Sequence, residues 1–170
     1  YYLYAGNGEG NAGSGDNNED KSMGARVKFK LPLLTKLELG LSGFSDTNSS
    51  DTEKIAYGAD ISAQWRNLRF QGEYALGDYD SATGTDYQRS GYYGQFIYGL
   101  GNLDLIYRYD WYEPSDEADD DQKTVNTAAI NYHFTPSVTG KVEHHFISPE
   151  NPASEDYTKT IFTIAIYLGE

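Results

Sequence analysis

Several groups of residues in this chain carry enough charge or basicity to do chemistry. Arg26, Lys28 and Lys30 recur at every second position. On an extended strand that spacing puts all three on one face, as a basic row that could attract anions or pair with Glu38 on the following segment. Asp110, Glu143, His133 and His145 include the elements of a general base oriented by a carboxylate, which a hydrolase would need. No G-x-S-x-G nucleophile elbow accompanies them, and hydrogen bonding within a polar channel would equally account for these residues. The run Glu113, Asp116, Glu117, Asp119, Asp120, Asp121 has the oxygen ligands a hard cation prefers but not the spacing of a calcium loop, so it reads as a solvated loop. As an acidic rim it could also repel anions or hold divalent ions that bridge lipopolysaccharide. Gly8, Gly10 and Gly13 spell G-x-G-x-x-G, but no helix start follows, and dinucleotide binding fails on context. Asn48-Ser49-Ser50 matches a glycosylation acceptor without further support.

The elements that position these residues are strands. From Ile55 the odd positions are Ile55, Tyr57, Ala59, Ile61, Ala63 and Trp65, and the residues between them are small or polar. After Arg66-Asn67 the alternation resumes with Leu68, Phe70, Gly72, Tyr74 and Leu76. The first run exceeds the usual strand of about five or six residues and matches the roughly nine to eleven that a tilted strand needs to cross a bilayer. The same pattern recurs along the chain and predicts ten strands. Their connections alternate long and short: long at 7–22, 46–54, 80–90, 113–123 and 149–156, short at 32–35, 66–67, 99–102 and 135–137. The predicted fold class is all-β: an antiparallel up-and-down transmembrane β-barrel of about ten strands, with short periplasmic turns and long extracellular loops, in a single domain over residues 1–170.

Composition agrees with such a wall. The mean hydropathy of −0.66 and the lack of any run near 18 apolar residues exclude a helical membrane protein, whereas alternating faces keep a barrel's average polar. Sixteen Tyr, seven Phe and two Trp suit rings placed at a membrane–water boundary. Trp65 and Tyr98 fall beside short turns and are expected in a periplasmic girdle; Tyr57, Tyr109, Trp111 and Tyr157 fall near long loops and are expected in an outer one. There is no Cys, which excludes disulfides and thiolate metal sites, and a net charge of −13 argues against nucleic acid as a partner. The only Met, at position 23, and the absence of a basic-apolar leader fit a mature or trimmed exported chain.

Charge sorts with the faces. Arg26, Lys28, Lys30, Lys36, Arg69, Arg108, Lys141 and Lys159 all fall opposite the apolar positions, as do Glu38, Asp60, Glu73, Asp104, Asp110 and Glu143. So many charges cannot face a dry core. Together with His145 they are the expected lining of a water-filled lumen, whereas His144 is expected to face outward. No cofactor is expected.

The segments SGYYGQFIYGLGNLDLIYRYDWYEP (90–114) and TAAINYHFTPSVTGKVEHHF (127–146) resemble the general-porin and phosphate-selective porin group of Gram-negative outer membranes. A Tyr-rich strand, a tight turn and a return strand carrying Arg recur there. The likeness covers most of residues 55–168. It implies a passive diffusion channel for small hydrophilic or anionic solutes, in contact with outer-membrane lipid and lipopolysaccharide, commonly a homotrimer of sixteen-stranded barrels. The chain departs from the family in ending Leu168-Gly169-Glu170 where an aromatic is usual, and in its strand number. Ten strands make the chain either the C-terminal part of a larger barrel or a small barrel, and the start in mid-pattern at Tyr1 favours the first. An outer-membrane barrel hydrolase of the omptin or phospholipase kind, and a sleeve or receptor bound through the acidic loops, are the other readings.

Overall fold

The computed structural model describes residues 1–7, 21–32, 36–47, 53–81, 84–151 and 153–168. Gly8, Gly10, Gly13 and Asn48-Ser49-Ser50 lie outside them, as does most of the turn expected at 32–35.

The chain folds as ten strands: β1 Tyr2–Asn7, β2 Lys21–Pro32, β3 Lys36–Thr47, β4 Glu53–Trp65, β5 Leu68–Asp80, β6 Tyr87–Leu100, β7 Leu103–Glu113, β8 Lys123–Thr135, β9 Val138–Pro149 and β10 Tyr157–Ile166. They form one antiparallel sheet in strict sequence order. No helix occurs among the described residues. Each strand touches only its neighbours in this order, so the sheet is a single layer. It is not closed: among the described residues, β1 pairs only with β2 and β10 only with β9.

The strands are longer than the alternation alone suggests. Tyr87–Ser90, expected in a loop, pairs with Leu76–Tyr79 and starts the 14-residue β6. At a rise of about 3.3 Å per residue and a tilt near 45°, strands of eleven to fourteen residues cover roughly the 30 Å hydrocarbon layer. The hairpins between them are tight. Trp65 pairs with Leu68 and Leu100 with Leu103, leaving two-residue turns in which Arg66 has φ 53 and Gly101 φ 62. Pro136 and Ser137 form a third, with a bulge between His133 and Thr135 in the adjoining ladder.

Because directly paired residues share a face, the register sorts the side chains. One row runs Val27, Leu41, Ala59, Tyr74, Tyr92, Trp111. Another, nearer the short turns, runs Leu37, Ala63, Phe70, Phe96, Tyr107, Ala128, His144. This apolar face has nothing packed on it: Leu41 is 57 % exposed, Phe96 49 % and Phe162 76 %. Buried apolar residues among those described are limited to Ile97, Ala129 and Ile147, all on the opposite, charged face. The described residues enclose no dry centre. Burying an apolar side chain is worth about 1.5–3 kcal/mol, so a face this broad requires a covering medium.

Ring contacts tie the apolar face together. Phe70 and Phe96 lie 4.9 Å apart beside the directly paired Gly72 and Gly94, and Tyr92 stacks on Trp111 at 5.3 Å. Two polar pairs on this face satisfy each other, as a hydrocarbon surrounding favours. The Tyr107 hydroxyl donates to Asn126 Oδ1 at 2.7 Å, and His144 Nδ1 lies 2.8 Å from Thr160 Oγ1.

Two expectations about aromatic placement fare differently. Trp65, Leu68 and Tyr98 share one row beside the short turns, and Tyr92, Tyr109 and Trp111 cluster toward the long loops. Tyr157 pairs with Ile147, which pairs with Val125, and Val125 pairs with Asp110. It therefore sits on the charged face and not in an outer aromatic band. β10 begins at Tyr157, and its outward positions are the even-numbered Phe162, Ile164 and Ile166.

Candidate pore wall

The charged face is built by alternation, every second residue of each strand contributing to it. The register brings Arg26, Lys28, Lys30, Lys36, Glu38, Asp60, Arg69, Glu73, Asp104, Arg108, Asp110, Lys141, Glu143 and His145 to this one face. Lys159 pairs directly with His145 and joins them. Lys54, Arg89 and Lys123 belong here as well, through the pairs Lys54–Tyr79, Gly77–Arg89 and Tyr112–Lys123. They escape a reading of the sequence because each lies where β4, β6 or β8 runs on into a stretch that looks like loop.

Opposite charges pair across strands, as the close lateral spacing of a sheet allows. Arg26 holds Asp60 at 2.6 Å, spanning three strands over the directly paired Ser42 and Gly58. Glu38 receives both Lys28, at 3.7 Å, and Lys30, at 3.4 Å. The basic row is thus compensated in part, with two ammonium groups on one carboxylate.

Arg108 donates from Nε to both oxygens of Asp110, two residues along its own strand, at 2.8 and 2.9 Å. Its guanidinium also lies over the Tyr93 ring at 3.8 Å. Tyr93 pairs directly with Asp110, so the three groups form one fixed unit in the wall. Gln95 donates to Gln71 Oε1 at 3.1 Å beside them.

The histidines divide into two sets. His133 Nε2 contacts Asp104 at 3.1 Å, its Nδ1 lies 3.0 Å from Thr139 Oγ1, and Asp104 also receives Arg69 at 3.0 Å. His145 Nδ1 lies 2.9 Å from Thr127 Oγ1, with Glu143 at 3.8 Å from Nε2. The sequence grouped His133 with Glu143 and His145, whereas the fold gives His133 to Asp104. Asp110, Glu143 and His145 do line one shallow depression of about 530 Å³ with Arg108 and Thr127. Within it the Asp110 carboxylate is taken by Arg108, and the 3.8 Å between His145 and Glu143 exceeds a hydrogen bond. Such cross-strand networks fix side chains on the charged face.

The long loop after β7 is partly structured. Asp116 accepts from the Gln88 amide at 2.6 Å and donates its own amide to the Gln88 carbonyl at 3.1 Å. Trp111 Nε1 donates to Gln122, and Gln122 donates to Glu113. One of the acidic residues therefore holds the loop to the start of β6. Among the described residues, no three His, Asp or Glu side chains converge as a metal site would require.

A single layer of long up-and-down strands, apolar on one face and charged on the other, is the construction of a membrane barrel wall. A family model described as Gram-negative porin matches residues 1–150. No curated protein matches the chain. A match of this extent, on a sheet of this construction, places the chain in the Gram-negative porin family, whose members are channels of the bacterial outer membrane.

Proposed function

We propose that the charged face lines a water-filled pore for passive diffusion of small hydrophilic solutes, with a preference for anions. One observation carries the preference. Among the described strand residues, the charged face bears eleven basic groups (Arg26, Lys28, Lys30, Lys36, Lys54, Arg69, Arg89, Arg108, Lys123, Lys141, Lys159) and seven acidic ones (Glu38, Asp46, Asp60, Glu73, Asp104, Asp110, Glu143). The excess of four positive charges contrasts with the −13 of the whole chain. Charged rows set the sign of the potential along a pore. Acids outside this face crowd the connecting segments, including 113–121, where they could hold divalent ions against lipopolysaccharide.

The edges of β1 and β10 bear on the size of the pore. Unpaired backbone groups are not tolerated in hydrocarbon, so these edges support an arc of a larger barrel completed by further strands. Assembly as a homotrimer belongs to the same reading. Reconstitution in a planar bilayer under a KCl gradient tests it. A stepwise conductance whose reversal potential shows Cl⁻ favoured over K⁺ is expected. A cation-favouring potential would overturn the preference, and a protein that inserts but conducts nothing would overturn the pore.

A further inference from the structure

The pore wall carries, just below the long-loop rim, an arrangement that passive diffusion does not call for. The Arg89 guanidinium lies over two rings at once, 5.0 Å from the centroid of Tyr79 and 5.1 Å from that of Tyr87. Those rings are themselves stacked, with centroids 4.8 Å apart and planes 3° from parallel. Arg89 Nε donates to the Pro114 carbonyl at 3.1 Å. Rings and carbonyl together hold the cation in one orientation. Among the described residues no carboxylate pairs with it, unlike Arg26, Arg69 and Arg108 on the same face. A stacked guanidinium with its terminal amino groups uncommitted is a ready receiver for a planar anion.

The floor beside Arg89 is open. Its direct partner across the ladder is Gly77, against which the Tyr79 ring lies, and the next positions on this face, Ala75 and Gly91, leave the space below it clear. With so little side chain there, a recess of about 580 Å³ forms, walled by Tyr79 and Arg89 toward the rim and by Tyr93 and Tyr112 on the far side. That size lies within the range of small-molecule sites. The far end is acidic. Glu73 lies four residues along β5 from Gly77, about 13 Å away at 3.3 Å per residue; its carboxylate accepts from the Tyr93 hydroxyl and has lone pairs left for a second donor. The recess therefore offers a fixed cation at one end, ring edges and faces along its sides, and a hydrogen-bond acceptor at the other.

We propose that this recess is a binding site for small aromatic monocarboxylates bearing a ring hydroxyl. The carboxylate forks onto Arg89, the ring lies over Ala75 and Gly91 between tyrosines, and the hydroxyl donates toward Glu73. A second carboxylate at that end meets like charge and is rejected. The site rests on the reading that this face lines the pore, because a solute reaches it only from the lumen.

The test is saturation-transfer NMR titration of the full chain, refolded in detergent micelles, with 4-hydroxybenzoate, terephthalate and cyclohexanecarboxylate as probes. Saturable binding of 4-hydroxybenzoate, at least about tenfold tighter than either other acid, is expected. Arg89→Gln should weaken it about tenfold or more, since charge-assisted hydrogen bonds are lost. Ala75→Leu should do the same by filling the floor while leaving Arg89 in place, so the site stays testable if the first variant misfolds. Equal binding of all three acids, or wild-type affinity in either folded variant, would overturn the site. Normal conductance without binding removes the site alone, whereas binding without conductance removes the pore alone.

Discussion

The guanidinium of Arg108 and the ring of Tyr93 meet at 3.8 Å on the charged face of neighbouring strands. Asp110, which pairs with Tyr93 in the ladder, holds the same guanidinium from its own strand. The cation is fixed but remains on a wetted surface. Arg108→Gln should lower the Cl⁻ over K⁺ permeability ratio about two- to fivefold in dilute salt, because it removes one charge whose pair energies in water are about 1 kcal/mol at 4 Å. Arg108→Lys should preserve the ratio while losing the ring contact. Reversal potentials of the two variants check this.

Glu38 restrains two ammonium groups, Lys28 and Lys30. Glu38→Gln should therefore increase the anion preference, opposite in sign to the loss of Arg108. The increase should shrink between about 0.1 M and 1 M KCl as the screening length falls from about 10 Å to 3 Å. A salt series of reversal potentials reads it.

The two faces should tolerate charge unequally. Leu41→Arg places a cation among Val27, Ala59 and the exposed apolar row, and should cost about 2–4 kcal/mol of folding stability in lipid, the midplane value for a barrel. Ser62→Arg, on the face shared with Glu38 and Gln71, should cost less than about 1 kcal/mol. Urea unfolding in lipid vesicles compares them.

The tight turns allow a backbone test. Arg66 holds φ 53, a region that costs a side-chain-bearing residue about 1–2 kcal/mol, so Arg66→Gly should stabilise the β4–β5 hairpin by up to about 1 kcal/mol. Gly101 holds φ 62 with open space around its Cα, and Gly101→Ala should destabilise by about 1 kcal/mol from conformation alone. Thermal unfolding midpoints check both.

Fold and wall were legible in the sequence to different depths. Period-2 alternation through Ile55–Trp65 and Leu68–Leu76 gives strand identity and facing directly, because a strand has no other way to separate oil from water. It fails at strand ends. Tyr87–Ser90 carries no apolar alternation, yet it pairs with Leu76–Tyr79 because the ladder continues through backbone hydrogen bonds that need no particular side chain. That extension moves Arg89 from an expected loop onto the charged face. Nearness to a loop points Tyr157 to an outer girdle, whereas the parity of β10 decides its face. Partner choice was less legible still: His133 joining Asp104 and Arg69 depends on the register of β7 against β8, and no local spacing encodes that.

The central claim is that side chains alternate between lipid and water along every strand. The chain has no cysteine, so single-cysteine variants carry one spin label each. Labels at Leu41, Ile61, Tyr107 and Ile164, and at Ser42, Ser62, Arg108 and Lys141, would be compared in lipid vesicles by paramagnetic relaxation, using oxygen as the lipid-soluble reagent and a nickel chelate as the water-soluble one. The expected result is oxygen access at the first four and nickel access at the second four. Equal access to the nickel chelate at all eight, or protection of the first four from both reagents, would contradict it.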